Sequence, residues 1–404
     1  MNTISLKDTL FAITEKHPET IDLFVSRGFD GMDDYAQRSG YGKLISLEMA
    51  LDMKKIHKEL FLELLEETVN STSSLRREGD TLTVTGLLPC PVRIPLQESF
   101  DRFVSQYQER TSLNIDAELK AASTGTGWVE DHLAGAGSID DLPDCFISAG
   151  FDLFFDQALI GRFRDEHQFS DLVSWKTENP AFAGRNLADP EGAYSVISAV
   201  PAIFLVNVNE LGDRPVPGSW EELLNGDYDH SVSLPVGDFD LFNAILLTLR
   251  DRYGDQALEK LGRVMLQGMH PSQMVKSERM KSNRPAVTIM PWFFTKTVRE
   301  GGSMKAVWPS DGAVLSPIFM LTKKNKAELL QPVADFFSSR EVGEILAHQG
   351  LFPSLHPEVV NTLPDPSPFM WLGWDYIRSH DLSAEIKICE EIFTNAHEPV
   401  KESI

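Results

Sequence analysis

Several short stretches of this chain carry residues suited to holding a small ligand. Ser123-Thr124-Gly125-Thr126-Gly127 sets hydroxyls beside glycines, whose bare backbone lets N–H groups come close to an anion or carboxylate. The same string also makes a plain surface turn. Gly237-Asp238-Phe239 precedes an amphipathic helical stretch, so the unpaired N–H groups of a helix N-terminus fall there. Asp238 either adjoins a ligand or caps the helix, and Asn243, one turn on, carries an amide that could face the same place. Cys90 stands between Pro89 and Pro91, with Arg93 in the same loop. It is either a thiolate presented to a soft ligand or a small buried hydrophobe. Ser148-Ala149-Gly150 closes one apolar run, and Met290-Pro291-Trp292-Phe293 closes another with the aromatic bulk that an organic-ligand pocket uses as a wall, or a core as filling.

These are binding groups, and no catalytic set accompanies them. The chain has no GxSxG, HExxH, GxxxxGK(S/T) or strand-borne GxGxxG. His132, His270 and His348 are scattered among polar neighbours and read as solvated. Asp140-Asp141 and Asp227 to Asp229 depart from the calcium-loop pattern. Cys90, Cys145 and Cys389 form no CxxC pair and no His/Cys cluster, so neither a zinc site nor a disulfide framework is predicted, and a reducing compartment suits the chain. No cofactor is identified. The reading is non-enzymatic binding; the alternatives are an enzyme on the same scaffold, or an interaction scaffold with a degenerate cleft.

For those loops to act together, strands must bring them to one place. Val196 to Leu211 reads as one extended strand, nearly all apolar from Val200 to Val208 and composed as a strand buried on both faces would be. Gly312 to Lys323 has the same character. Two such strands, far apart in sequence, suit a chain that leaves one body and later returns, which makes a hinge and a cleft able to close. Around them, Thr81 to Thr85, Asn114 to Leu119, Cys145 to Ser148, Ser231 to Pro235, Pro285 to Met290 and Met304 to Trp308 read as strands. Helices alternate with them, over Phe100 to Tyr107, Trp128 to Leu133, Phe239 to Arg252, Asp255 to Leu266 and Ala327 to Phe337. That alternation predicts doubly wound α/β sheets, with ligands beyond the carboxyl ends of the strands.

The chain has 404 residues, 42% of them hydrophobic, enough for two or three domains. With 37 basic residues against 60 acidic, its formal net charge of −23 sets it against nucleic acid and anionic lipid as partners. No basic leader with an unbroken apolar segment opens the sequence, and no apolar run is long enough to span a bilayer. The chain as written is expected to be cytoplasmic, or periplasmic if a leader was removed. Residues 1–68 form a small all-α domain, with Ser46 as an N-cap, and the Ser/Thr-rich residues 69–80 a linker.

The first segment resembles a small helical domain, of unknown function, found at the front of proteins from anaerobic bacteria. Thr9-Leu10, Pro18-Glu19, Phe24, Gly28-Phe29 and Ser46 to Ala50 carry that likeness. Where many members place cysteines, this chain has Asp30-Gly31-Met32-Asp33, which leaves a docking or accessory role. The remainder resembles a two-lobed (type II) ABC-transporter solute-binding protein of the iron-transport branch. The carriers are Val200-Pro-Ala-Ile-Phe-Leu-Val-Asn207, Gly218-Ser-Trp-Glu-Glu-Leu-Leu224, Ser231-Val-Ser-Leu-Pro235 and Asp311-Gly-Ala-Val-Leu-Ser-Pro317. The resemblance implies a periplasmic-binding-protein-like fold: residues 81–205 as the first part of lobe 1, 206–311 as lobe 2 and 312–404 as the return to lobe 1. It further implies a small-molecule or ion ligand, anionic or a metal chelate. The partner it implies is an ABC permease, or a cytoplasmic protein docking on the helical domain. Ferric-ion binders of this branch commonly use adjacent tyrosines as ligands, and no two of the seven tyrosines here are neighbours.

Overall fold

The apolar, β-branched runs of the sequence become the strands of one hydrogen-bonded sheet. The computed structural model describes residues 4–17, 20–26, 29, 31–32, 35–54, 56, 58, 61–62, 65, 81–88, 91–111, 113–121, 133, 136–150, 152–236, 239–299 and 301–397. The chain divides into two compact units, Met1–Asp80 and Thr81–Ile404, each with its own core.

In the first unit, helices Leu10–Lys16, Ile21–Ser26, Tyr35–Gly40 and Leu47–Lys54 enclose Leu10, Ile13, Phe24, Phe29, Leu47, Leu51 and Phe61. Its helix starts are set locally. Thr9 Oγ1 accepts from the Ala12 N–H at 3.2 Å and Ser46 Oγ from the Met49 N–H at 3.3 Å, each satisfying a donor that the helix itself leaves open.

The second unit carries strands β1 (Thr81–Leu88), β2 (Asn114–Ala121), β3 (Cys145–Ala149), β4 (Tyr194–Asn207), β5 (Val232–Leu234), β6 (Met265–Gly268), β7 (Val287–Pro291), β8 (Met304–Val307), β9 (Ala313–Thr322) and β10 (Phe369–Met370). They make a ten-stranded sheet whose main path runs β2-β1-β3-β9-β4-β7-β5-β6, with β8 beside β4 and β10 beside β9. One end of that path, β2-β1-β3, is parallel; the other, β7-β5-β6, is parallel too. Between them lie β9 and β4, antiparallel to each other and to their outer neighbours. These are the two crossing strands, and all fourteen residues of β4 are buried. Helices Phe239–Tyr253 and Ala327–Phe337 pack on β9, which explains why both strands are apolar on each face.

Two expectations are corrected. The first crossing does not stay extended to Leu211: Asn207 Oδ1 accepts from the Asn209 N–H at 3.2 Å, and Val208–Leu211 becomes a helical turn. The helix begun at Asp255 ends at Val264, and Met265 and Leu266 belong to β6. There Met265 pairs with Val232 of β5, a long-range contact that overrides the local helical pattern. The crossing strands β4 and β9 carry the hydrogen bonding through, so the strands on either side of them belong to one sheet.

At the end of β9, Lys323 is 2% exposed and its ammonium stands 3.0 Å from Asp144 Oδ1. Lys326 reaches Asp144 Oδ2 at 2.9 Å, and the Thr83 N–H donates to the same oxygen at 3.0 Å. This ion pair pins the foot of β9 to β1 and β3.

Candidate functional site

The pairing register shows where the strand ends of the candidate site converge. β3 ends at Ala149 opposite Ile318 of β9, and Ile318 faces Ser198 of β4. β7 arrives from the other direction and ends at Pro291 opposite Ala202. The carboxyl ends of β3 and β7 therefore point toward each other over Ser198–Ala202. β1 and β2 run with β3, while β5 and β6 run with β7, so both parallel sets end toward one strip of the crossing strands. A change of strand direction of this kind is where open α/β sheets bind ligands.

Ala149, Gly150, Pro291 and Trp292 come to the two ends of that strip. Gly150, with φ 146°, makes a turn after β3 that L side chains rarely adopt. Trp292 opens the short 3-10 helix Trp292–Thr297; its indole lies edge-on to Trp308 with centroids 5.4 Å apart, and its Nε1 donates to Thr362 O at 3.4 Å. Phe239 opens the helix Phe239–Tyr253, which contacts both crossing strands. One turn on, Asn243 is 3% exposed, and its Oδ1 has no protein partner. A buried carbonyl oxygen without a donor is costly, and a ligand or bridging water that donates to it removes that cost.

Of the other predicted ligand residues, Arg93 and Ser148 are described. Arg93 is the first residue of the helix Arg93–Arg110 rather than part of a loop. Ser148 turns inward: its hydroxyl is buried and donates to Ala149 O at 2.9 Å, satisfied within the strand. Cys90, Ser123, Thr124, Gly125, Thr126 and Asp238 lie outside the described residues. His270 caps the short helix Pro271–Met274, and His348 Nε2 stands 2.7 Å from Glu344.

Three features escaped the sequence reading. Beyond the end of β7, the open edge of β4 is taken by the segment from Phe352: the Ala199 N–H donates to Pro353 O at 3.2 Å, the Leu355 N–H to Ile197 O at 3.0 Å, and Ser198 Oγ to Pro353 O at 2.9 Å. Asn179 holds that segment by donating to His356 O and Val359 O at 2.8 and 2.7 Å. Lys296, past β7, reaches over to the end of the helical stretch Arg340–Gln349, donating to His348 O and Gln349 O at 2.5 and 2.9 Å, while Phe293 stacks on Phe352 at 6.2 Å. A serine inside an apolar strand was a usable signal for Ser198; nothing local marks Lys296.

Four of the seven tyrosine hydroxyls are engaged within the protein. Tyr194, Tyr228, Tyr253 and Tyr376 donate their hydroxyls to Phe154 O, Pro215 O, Asp311 and Glu385 at 2.7, 2.6, 2.8 and 3.0 Å. Burial is the first cause that raises each of these hydroxyls above the usual tyrosine range. Among the described residues no group of three or more His, Cys, Asp or Glu is arranged to hold a metal ion, and no helix is long and apolar enough to cross a membrane.

Residues 140–380 match the family of bacterial extracellular solute-binding proteins, and residues 4–62 match a domain of unknown function. Among solved structures, the apo ferric ion-binding protein A of Pasteurella haemolytica is similar with a TM-score of 0.56 and 12% identity, covering 80% of this chain and 100% of that one. The substrate binding protein of an ABC transporter from Agrobacterium tumefaciens follows the same fold at TM-score 0.53 and 15% identity, over 79% and 95% of the two chains. An ABC transporter structure from Clostridium perfringens does so at 0.52 and 13%, over 77% and 99%. At such identities the likeness shows the fold, which is periplasmic-binding-protein-like. No curated protein matches the chain.

Proposed function

The chain belongs to the family of bacterial extracellular solute-binding proteins, and on that premise we propose that it binds without chemistry of its own, closing two α/β halves on a small anion, free or as a metal chelate. Residues 81–205 with the return from 312 make one half, and residues 206–311 the other. The reading rests above all on one observation: the ends of β3 and β7 converge from opposite directions on Ser198–Ala202. The N–H groups past β3 at Gly150 and at the start of the helix Phe239–Tyr253 suit negative charge. Asn243 offers its orphaned oxygen to a ligand donor, and Trp292 forms a wall. Cys90, Arg93, Ser123 to Thr126 and Asp238 complete the proposed contact set. Bare ferric ion held by tyrosinates is disfavoured by the tyrosine contacts above. The closed form is what an ABC permease, or a partner docking on the helical unit, would distinguish from the open one.

Thermal-shift screening of the full chain against oxyanions, small carboxylates and ferric-carboxylate chelates tests this. A ligand present at 100 times its Kd stabilises the folded state by about 2.7 kcal/mol, a rise in Tm of several degrees. Absence of any rise across the panel, with no heat by calorimetry, would overturn the anion reading.

A further inference from the structure

The chain re-enters the first half through β9, yet its last helix, which still touches Asp152–Phe155 of that half, extends beyond it. Leu382–Ala396 lies along Asp255–Val264 and Phe239–Tyr253, the helices that follow the first crossing. The approach is close: a Cβ added at Gly262 would stand 2.5 Å from Phe393 O and 2.9 Å from Ala396 Cβ, so only glycine admits it. Phe393 meets Phe242 edge-on at 5.2 Å. Near the start of this helix, Glu385 accepts from Arg250 and, at 3.0 Å, from the Tyr376 hydroxyl. Arg250 also holds Asp255 at 2.7 Å.

A few residues upstream, the same segment is fastened to the other half. Trp374 Nε1 donates to Leu187 O at 2.9 Å, and Arg378 pairs with Asp189 at 2.7 Å. Asp189 itself receives the N–H groups of Ala193 and Tyr194, where β4 begins. Helix Trp374–Ser379 ends on one anchorage and helix Leu382–Ala396 begins on the other, with only His380 and Asp381 between them.

We propose that residues 374–396 form a third strap between the two halves, anchored by Arg378 to Asp189 at one end and by Glu385 to Arg250 at the other, and that it limits how far the cleft opens. The proposal rests on the two-halved cleft described above. Rotation about β4 and β9 changes the separation of the two anchorages. A strap with one short joint cannot follow that change freely, so it holds the population near the arrangement seen here. Cutting either anchor has the same consequence, although the two lie in different halves.

Amide hydrogen exchange on the full, ligand-free chain tests it in wild type, Glu385→Gln and Arg378→Gln. Both variants are expected to speed exchange about tenfold in peptides covering Trp292–Lys296 and Phe352–Leu355, which meet across the halves. Peptides from β1 and β5 remain protected as in wild type. Faster exchange confined to residues 374–396 in both variants overturns the proposal, because the segment is then a local brace. Because no ligand is present, failure of the ligand screen leaves this result standing, and failure here leaves the screen untouched.

Discussion

At the scale of single residues, Asp144 is the group on which most is staked. Burial pushes its carboxyl upward, but the bonds from Lys326, the Thr83 N–H and Lys323 outweigh that and leave it below the usual carboxylate range. A depressed folded-state value means stability that is present above the unfolded-state pKa of about 3.9 and lost as pH falls through the folded one. Asp144→Asn should therefore cost about 3–5 kcal/mol at pH 7, the penalty of leaving a buried lysine uncompensated, and that gap should narrow below about pH 4, as read by urea unfolding. Asn243 makes the opposite prediction. Asn243→Leu removes a buried oxygen without a donor, so the ligand-free Tm should hold or rise while the ligand-induced shift disappears; a large fall without ligand would make Asn243 a packing residue. Burial raises the Cys145 and Cys389 thiols, the latter to about 12, so neither should react with a thiol reagent at pH 8 until the chain unfolds.

At the scale of elements, the contact between Trp292–Thr297 and the end of the helical stretch Arg340–Gln349 is the place to interfere with the proposed closure. Lys296 sets a cation against carbonyl oxygens that a helix leaves unpaired. Lys296→Met should weaken the best ligand of the screen by about two- to fivefold in calorimetry, with the folding transition unchanged. A ligand affinity equal to wild type would mean that this contact persists in the open form. The elements themselves were legible where their causes are local. Ser219 and Ser339 cap helices because their hydroxyls accept from N–H groups three residues on, Glu222 and Val342, and sequence order alone displays that. Met265 and Leu266 continue the helical pattern locally, and the strand pairing that overrides it, Met265 with Val232, joins residues distant in sequence.

At the scale of the whole molecule, two separate cores predict two independent folding units. Deleting residues 1–80 should leave the melting transition and ligand response of the remainder unchanged, and calorimetry of the full chain should resolve two transitions. A shift of more than a few degrees would mean that the helical unit supports the larger one. The sequence by itself determined the α/β class, the helical leader and both crossing strands, because hydrophobic composition and period are properties of short windows. It also put Gly150, Pro291 and Trp292 at strand ends and Asn243 near a helix start, since strand ends and helix starts can be counted along the chain. Only the tertiary structure decided that β3 and β7 end face to face over Ser198–Ala202, that Phe352 to Leu355 occupies the vacant edge of β4, and that the last helix packs along Phe239–Tyr253 and Asp255–Val264. Each of these joins residues far apart in the chain, and such pairings are chosen by the burial and hydrogen bonding of the complete sheet, which no local window contains.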